Sequence, residues 1–408
     1  MQLSGDDEAK LAGEAGPGTQ LAMKLVVAAA TWIDAGSLLD IEMAHIDGCL
    51  YHGPAGLDFV TRLSQLDARV AVPTTLNVTS LDLLHPGLHL GDEEEARRAR
   101  MQMEAYEHLG CRPTWTCAPY QLATRPGFGQ QIAWGESNAI VFANSVLGAR
   151  TERYGDFLDV ACAITGRAPA GGLHLDEHRV ATAVVELVDV AVDDMLFPVL
   201  GHWLGRFAGS EVVAVVGIDA ATEDQLKALG AAAASSGAVG LFHVVGVTPE
   251  APSLAAALGD APPRRHVRVG RDELRLARAD LATLADGPLG AVSVGTPHYS
   301  TRQLTAFADE LAGREVAVPC YVSAGRDTLA ESAPVTAALE RSGVQLVTDT
   351  CTYFTPIMRK PRGCVLTDSA KWAYYAPGNL GVDVAFGSME ECVESAVSGR
   401  LETRRWPP

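Results

Sequence analysis

Near-continuous apolar segments alternate with amphipathic segments along most of the chain. The strand-like segments include EVVAVVGI, AVGLFHVVGV, AVSVGT, EVAVPCYVS and VQLVTDT, and helix-like segments such as TEDQLKALGAAAASS and TRQLTAFADELAG lie between them. Strands without polar alternation are typical of parallel sheets whose two faces are both covered by helices. The pattern therefore predicts an α/β protein with mainly parallel sheets.

The chain has 408 residues, enough for two or three domains with substantial cores. Glycine- and proline-rich segments at 166–176 and 286–290 mark two candidate boundaries. They predict domains over residues 1–168, 169–288 and 289–408. The first and third carry most of the unusual polar and thiol side chains, whereas the middle one is rich in Ala, Val and Leu.

Net charge and cysteine spacing exclude several classes of protein. The formal charge is −18 at pH 7, which argues against nucleic acid or an anionic membrane as the main partner. The apolar run at 25–33 follows an acidic start and is too short to cross a bilayer, so we expect a cytoplasmic protein. Eight scattered cysteines without a CxxC pair indicate thiols rather than a disulfide framework. No P-loop, GxGxxG, GxSxG or HExxH motif is present.

Polar and thiol side chains follow the predicted strands at the end where each strand finishes. Ligands of parallel α/β sheets bind outside the carboxyl ends of the strands, so these residues form the candidate site. They are His45, Asp47, Cys49, Asn77, Cys117, His298, Arg326 and Cys351. After Cys351, the turn TDSAK adds the hydroxyl of Ser369 and the ammonium of Lys371. A thiol, a hydroxyl and an ammonium together suit an iron–sulfur site beside a bound carboxylate.

Seven ordered motifs carry a resemblance to a known family. They are AHIDGCLY (44–51), TTLNV (74–78), TCAPY (116–120), GESNAIVFANSVLGARTER (135–153), GTPHYS (295–300), DTC (349–351) and TDSAK (367–371). Over nearly the whole chain this set resembles aconitase X. The resemblance implies an aconitase-like core of three doubly wound α/β domains. Many members are split into a large subunit of about this length and a small swivelling subunit, and no region here is left over for the small domain. We therefore expect a partner chain.

The resemblance also implies a metal centre. Cys117 and Cys351 match two of the three cluster ligands of the archaeal members, but the third position is Thr296 here. A threonine hydroxyl is a poor ligand for iron–sulfur, so Cys49 is predicted to replace the missing thiolate, with Cys364 in reserve. A 2Fe–2S cluster is expected ahead of a 4Fe–4S cluster, and mononuclear iron is the other candidate.

Family members resemble either mevalonate 5-phosphate dehydratases or cis-3-hydroxy-L-proline dehydratases. The segments Gly48-Cys49-Leu50 and Asn77-Val78 depart from the archaeal pattern for the phosphorylated substrate and favour a small amino acid. The implied reaction is dehydration of cis-3-hydroxy-L-proline to Δ1-pyrroline-2-carboxylate, with iron as Lewis acid on the leaving hydroxyl.

The resemblance and the positions along the chain also predict roles for single residues. Lys371 is predicted to hold the substrate carboxylate, Ser369 to donate a hydrogen bond or act as base, and His298 to shuttle a proton. A base on the small subunit is the alternative to Ser369. Residues predicted to contact substrate are His45, Asp47, Gly48, Asn77, Glu136, Asn138, Arg150 and Arg326.

Three other functions stay open. One is a mevalonate 5-phosphate dehydratase of the same family. Another is a metal-free regulatory subunit that binds a small molecule, favoured by the loss of one cluster cysteine. The last is a zinc-dependent lyase that uses Cys117, Cys351 and His298. Metal content and a visible absorption spectrum separate these possibilities.

Overall fold

A computed structural model describes residues 1–284, 286–404 and 406. The chain forms two compact units. Unit 1 comprises Met1–Leu81 and Gly91–Val180, and unit 2 comprises Asp82–Leu90 and the chain from Ala181 onward. No helix in these described residues is both long and apolar enough to cross a membrane.

Unit 1 combines helices with two small sheets. Its helices are α1 (Gly5–Ala12), α2 (Pro17–Trp32), α3 (Pro54–Gln65), α4 (Glu93–His108), α5 (Ser137–Phe142) and α6 (Leu158–Thr165). Its strands are β1 (Leu38–Asp40), β2 (Ala44–Ile46), β3 (Thr74–Leu76), β4 (Ala133–Trp134) and β5 (Arg167–Pro169). The parallel sheet has the order β3-β2-β4, and β1 pairs with β5 in an antiparallel ladder.

Unit 2 holds two larger parallel sheets. Its helices are α7 (Leu196–Ala208), α8 (Glu223–Ser236), α9 (Leu254–Leu258), α10 (Arg271–Asp280), α11 (Thr301–Leu311), α12 (Arg326–Glu331), α13 (Ala333–Arg341), α14 (Ala370–Leu380) and α15 (Met389–Ser398). Its strands are β6 (Ala183–Leu187), β7 (Val213–Val216), β8 (Phe242–Val244), β9 (Arg265–Val269), β10 (Leu289–Tyr299), β11 (Cys320–Ala324), β12 (Gln345–Val347), β13 (Cys364–Thr367) and β14 (Val384–Phe386). The sheets have the orders β8-β7-β6-β9 and β12-β11-β10-β13-β14.

The predicted α/β class with mainly parallel sheets is confirmed, but two segments differ from the sequence prediction. The first is LDIEMAHI (39–46), whose sequence pattern is typical of a single strand, yet it divides into β1 and β2, which belong to different sheets. The second is the basic segment at 261–280, whose run of charges is typical of a surface helix or hairpin. It forms β9 and then α10, and the arginines of β9 are exposed because this strand lies at the edge of its sheet.

Helices α7 and α8 are in direct backbone contact. A Cβ atom at Gly201 would lie 2.2 Å from the carbonyl oxygen of Leu229, and one at Gly205 would lie 2.2 Å from Ser236 Oγ. Only glycine fits at such distances, so these two positions let the helices approach more closely than side chains allow. The contact fixes the position of α8, which carries a buried lysine described below.

Candidate functional site

The parallel sheet of unit 1 places His45 in a fully buried position within β2, and not after the strand as predicted from the sequence. Its Nδ1 lies 2.8 Å from Thr75 Oγ1, and its ring packs at a tilt against Trp134 with a centroid distance of 5.9 Å. Burial lowers the pKa of His45 to about 3, and the Thr116 backbone opposes this shift. The imidazole is therefore neutral at physiological pH and suited to hydrogen bonding rather than to ionic contact.

Asp47 and Asn77 meet directly after β2 and β3. The Asn77 side-chain amide donates to the Asp47 carboxylate, and the Asp47 backbone N–H donates to Asp159 Oδ2 at 2.7 Å. Asp159 is fully buried, and burial raises its pKa to about 7. The carbonyl of the neighbouring Gly48 accepts Gln102 Nε2 at 2.8 Å. Adjacent strand ends thus bring three predicted substrate-contacting residues together in unit 1, and Asp159 supports them although the sequence did not single it out.

Cys49 lies inside unit 1 as a protonated thiol. It is completely buried, and its Sγ lies 3.4 Å from the carbonyl oxygen of Ile46, to which it donates. Burial raises its pKa well above the ordinary value, and Cys111, Asp159 and Asp47 add to the shift. A metal ligand must be a thiolate, so a metal would have to displace the proton of Cys49, and its role as third ligand stays a prediction.

Cys117 lies in a loop that the first turn of α5 holds in place. Glu136 caps α5 by accepting the Ala139 N–H at 2.9 Å, and its carboxylate also accepts the side-chain amide of Asn138. That amide donates to the Cys117 carbonyl at 3.0 Å. Tyr120 OH donates to Asn138 Oδ1 at 2.7 Å. Glu136 and Asn138 were predicted to contact substrate, and the structure gives both of them a direct role in fixing the Cys117 loop.

Arg150 connects two loops of unit 1. Its guanidinium donates to the His174 carbonyl at 3.3 Å and forms an ion pair with Asp176. Its backbone N–H donates to the Gln130 carbonyl at 2.8 Å. These contacts use the guanidinium within the fold, so its predicted role as a substrate contact stays a prediction.

In unit 2, Ser369 and Lys371 lie beside Thr296, which is in the last part of β10. Ser369 caps α14 by accepting the Trp372 N–H at 3.0 Å, and its hydroxyl donates to the Thr296 carbonyl. Thr296, Ser369 and Lys371 line one cavity of about 40 Å³, and Lys371 is only 4% exposed. The ammonium and the hydroxyl predicted to act together are therefore neighbours.

His298 is 1% exposed, and its Nε2 donates to the Thr350 carbonyl at 3.2 Å. Burial lowers the pKa of His298 to about 4, and the nearby ammonium groups of Lys227 and Lys371 lower it further. The ring is therefore neutral at physiological pH and links its own segment to the loop that carries Cys351. A proton-shuttling role for it stays a prediction.

The loop before Cys351 is held by two buried carboxylates. Asp82 Oδ2 accepts the Thr348 N–H at 2.9 Å, and Asp349 Oδ2 accepts the Leu83 N–H at 3.1 Å. Arg326 donates two hydrogen bonds to Asp349, at 2.5 and 2.7 Å. Arg326 was predicted to contact the substrate. Its guanidinium forms a bidentate pair with a carboxylate of the protein itself.

Lys227 is a side chain that the sequence did not reveal. It lies on α8 and is 4% exposed, and its Nζ donates to the His298 carbonyl at 3.2 Å and to Gln303 Oε1. It also pairs with Asp224 at 3.1 Å. A single lysine in an alanine-rich helix carries no motif, so only the packing of α8 identifies it as part of the Lys371 cavity.

The iron centre that the resemblance implies requires soft donor atoms. Cys117 is 5% exposed and Cys351 is 3% exposed, each in a loop rather than within a strand, and thiolates are the soft donors that iron clusters use. Cys364 is the buried first residue of β13. Within either unit, the described residues contain no group of three His, Cys, Asp or Glu side chains placed to hold a metal. Cys117 and Cys351 are thus two thiols whose chemistry suits the implied iron centre.

Comparisons with known proteins agree across the full chain. Three family models match: the aconitase X first domain at residues 1–177, the second domain at 181–279 and the third domain at 289–398. A crystal structure of aconitase X from Thermococcus kodakaraensis in its holo-form is similar with a TM-score of 0.88. It is 32% identical and the match covers 97% of this chain and 100% of that one.

Two kinds of relative are similar in sequence. Cis-3-hydroxy-L-proline dehydratase from Pseudomonas aeruginosa is 44% identical over 408 residues, which cover 98% of this chain and 70% of the relative. The phosphomevalonate dehydratase large subunit of Methanosarcina mazei is 33% identical over 404 residues, which cover 98% of this chain and 98% of that subunit. Matches to all three domains and relatives of this identity and coverage show that the chain belongs to the aconitase X family.

Proposed function

We propose that the chain is a hydro-lyase that dehydrates cis-3-hydroxy-L-proline to Δ1-pyrroline-2-carboxylate. The observation that carries the proposal is the 44% identity over 98% of the chain to a cis-3-hydroxy-L-proline dehydratase. A second enzyme of that name, from Hypocrea jecorina, is 40% identical over 99% of the chain. The relatives named phosphomevalonate dehydratase large subunits are 31–36% identical.

The residues of unit 2 suit recognition of a carboxylate. Lys371 supplies a buried ammonium at the cavity that Ser369 and Thr296 also line. A buried ammonium binds a carboxylate strongly because little water screens the pair. The Ser369 hydroxyl, which donates to the Thr296 carbonyl in this structure, would turn to the substrate on binding. Of the groups in unit 1, Asp47 and Asn77 are suited to hold the ring nitrogen of the amino acid.

The reaction needs a base for the proton on C2, next to the carboxylate. Loss of that proton leaves an electron pair that forms the C2=C3 double bond as the C3 hydroxyl departs and is protonated to water. The resulting enamine then becomes the imine by losing a proton from nitrogen and gaining one at C3. Ser369 is the candidate base on this chain, and a residue of a partner is the alternative. Bound carboxylate and nearby ammonium groups stabilise the charge that develops at C2.

Cys117 and Cys351 are the residues that we propose to hold the iron centre, as a 2Fe–2S cluster or as mononuclear iron. When bound, such a centre supplies Lewis-acid assistance to the departing hydroxyl. Asn138 fixes the Cys117 loop, and Asp349 fixes the Cys351 loop. Cys49 and Cys364 stay predicted third ligands, and burial raises the pKa of both thiols.

A small partner subunit is part of the proposal. The chain spans 70% of the length of two relatives and 98% of a relative named a large subunit, which supports a complementary small domain on this or another chain. The predicted cytoplasmic location and the boundaries near residues 168 and 288 stay predictions.

The test is a turnover assay on protein purified without oxygen together with its small subunit. We expect formation of Δ1-pyrroline-2-carboxylate from cis-3-hydroxy-L-proline, iron in the protein and visible absorption typical of iron–sulfur. Turnover of mevalonate 5-phosphate instead would assign the chain to the other enzyme of the family. Colourless protein that contains zinc would support the zinc lyase, and metal-free protein that binds hydroxyproline without turnover would support the regulatory subunit.

Ser369→Ala and Ser253→Ala separate catalysis from folding. Each serine caps a helix, with Trp372 N–H or Ala256 N–H as donor. Loss of a serine cap costs about 1 kcal/mol, so we expect similar losses of stability in the two variants. Only Ser369→Ala should lower kcat, by about 100-fold or more for a residue that transfers a proton. Equal activity in the two variants would exclude Ser369 as the base.

A further inference from the structure

Two cavities of unit 2 meet at Asp368. The inner cavity, of about 40 Å³, is the one lined by Ser369 and Lys371. The outer cavity, of about 180 Å³, is lined by Asp194, Asp224, Arg302 and Ser388 among others. Asp368 and Gln303 line both cavities. A cavity of the inner size is large enough for a water molecule, so the Asp368 carboxylate lies between two spaces that polar side chains help to line.

The Asp368 carboxylate is held in place but keeps its ability to bind a proton. The hydroxyl of Tyr299, which is 2% exposed, donates to it, and the Gly295 backbone N–H also hydrogen-bonds to it. Burial raises the pKa of Asp368 to about 6, while the Tyr299 hydroxyl and the charge of Lys227 oppose this shift. A carboxyl group with such a pKa exchanges protons readily near neutral pH.

The charged and titratable groups around Asp368 are unevenly distributed. The ammonium groups of Lys227 and Lys371 lie on the inner side, and Lys227 also forms an ion pair with Asp224. Asp194, Asp224 and Arg302 line the outer side. The thiols of Cys320 and Cys392 are also close enough for Asp368 to raise their pKa values, and both are protonated. Asp368 is the one carboxylate among the described lining residues of the inner cavity.

We propose that Asp368 relays protons between Ser369 at the inner cavity and water in the outer cavity during each dehydration. The inference rests on the proposed function. Ser369 begins as a hydroxyl, so Asp368 first takes the hydroxyl proton and passes it to water in the outer cavity. The C2–H bond then breaks and its proton passes to the serine alkoxide, which becomes a hydroxyl again, while the electron pair forms C2=C3 and the C3–O bond breaks. The departing hydroxide gains one proton from water, so one proton is released and one is taken up in each turnover.

The relay predicts a specific pH dependence. Asp368 accepts a proton only when it is ionised, so kcat of the wild-type enzyme should rise through an acid limb near pH 6. Asp368→Asn keeps an acceptor oxygen for Tyr299 but carries no proton. We expect it to lower kcat about tenfold or more, to leave KM within about twofold, and to abolish the limb. Loss of the Tyr299 hydroxyl in Tyr299→Phe should move the limb to higher pH, because that hydrogen bond favours the ionised carboxylate.

Asp383→Asn is the matched control. Asp383 also accepts a hydrogen bond from a side-chain hydroxyl, that of Thr283 at 3.2 Å. It is exposed and lines neither cavity. It should keep wild-type kcat and the wild-type limb. A purely structural role for Asp368 would lower kcat equally at every pH and leave the limb of Tyr299→Phe in place. Either result would overturn the relay.

An infrared titration of the carboxyl band needs no substrate. It therefore measures the protonation of Asp368 even if cis-3-hydroxy-L-proline is not turned over. The wild-type-minus-Asp368→Asn spectrum should show one carboxyl group that titrates near pH 6 and exchanges rapidly with deuterated solvent. Absence of that band, or slow exchange, overturns the relay whatever the substrate. If Asp368→Asn does not fold, the wild-type-minus-Tyr299→Phe spectrum reports on the same carboxyl group. Loss of the Tyr299 hydroxyl should raise the pH at which the carboxyl band titrates.

Discussion

Asp82 and Asp349 each accept a backbone N–H from the segment that carries the other. The Thr348 N–H donates to Asp82 at 2.9 Å. The Leu83 N–H donates to Asp349 at 3.1 Å. This reciprocal pair joins residues that are distant in sequence and fixes the chain just before Cys351.

Replacement of Asp82 should destabilise unit 2 measurably. Asp82→Ala leaves the buried Thr348 N–H unsatisfied and also removes the acceptor of the His85 N–H. We expect a loss of about 3 kcal/mol in the free energy of unfolding, and a smaller loss for Asp82→Asn, which retains one acceptor oxygen. Urea denaturation measures both. Asp92→Ala, at the exposed cap of α4, should cost only about 1 kcal/mol. Equal losses in the Asp82 and Asp92 variants would contradict the reciprocal pair.

Arg326 should stabilise the protein chiefly through Asp349. Arg326→Ala leaves a fully buried carboxylate without its bidentate partner, a change that costs about 3 kcal/mol for buried pairs. The Asp349 pKa, already raised by burial, should then rise further because Arg326 opposes that shift. The stability deficit of the variant should therefore shrink as the pH falls and Asp349 becomes protonated. A deficit that is constant with pH would indicate that the pair is not the cause.

Asn138 should matter more than its hydrogen-bond partner Tyr120. Asn138→Ala removes the donor to the Cys117 carbonyl and the acceptor of the Tyr120 hydroxyl, whereas Tyr120→Phe removes one donor only. We expect losses of about 3 and about 1 kcal/mol in unfolding free energy. If Cys117 holds iron, Asn138→Ala should also lose iron faster to a chelator. Retention of iron at the wild-type rate would show that the loop keeps its position without this amide.

We expect the protein to lose stability in acid, and protonation of His298 should be one of the causes. Its pKa is about 4 in the fold, below the ordinary value of 6.5, so the unfolded chain binds more protons between those two pH values. The contribution is therefore complete above pH 6.5 and is lost as the pH falls toward 4; it amounts to about 3 kcal/mol. His298→Gln keeps a donor for the Thr350 carbonyl but does not titrate. Unfolding curves of the variant should lose part of the wild-type pH dependence, and an unchanged dependence would count against this assignment.

Two lysines with the same local contacts should differ in their effect on stability. Lys227 and Lys10 each pair with an aspartate of their own helix and donate to a backbone carbonyl. The Lys227 side chain is 3% exposed and the Lys10 side chain 21% exposed. Lys227→Met should cost about 3 kcal/mol, whereas Lys10→Met should cost less than about 1 kcal/mol. Thermal melting compares them directly, and equal shifts would show that burial does not set the difference.

The regular helices and strands were predictable from the sequence, because burial dictates the spacing of their apolar residues. The helix predicted in TEDQLKALGAAAASS is α8 (Glu223–Ser236), and the strand predicted in VQLVTDT is β12. The division of LDIEMAHI into two strands was not predictable, since each half pairs with a segment far away in the chain. Local sequence carries no information about which distant strand will be the partner.

The site was predictable only where residues lie in motifs. Ser369 and Lys371 stand next to each other in TDSAK, and the cavity places them together. Asp368, in the same motif, was overlooked because a carboxylate beside a helix cap is usually a surface group. Lys227 lies in a segment that carries no recognisable motif, and only the three-dimensional packing of α8 brings it to the His298 carbonyl.

The glycine contact between α7 and α8 limits how this enzyme can be redesigned. With no side chain between the two backbones at Gly201 and Gly205, neither helix can shift to absorb a larger residue. Any bulk added there would displace α8 and carry Lys227 away from the cavity that Lys371 shares. Libraries aimed at new hydroxy amino acids should therefore vary the exposed rim at Arg302 and leave these two glycines constant.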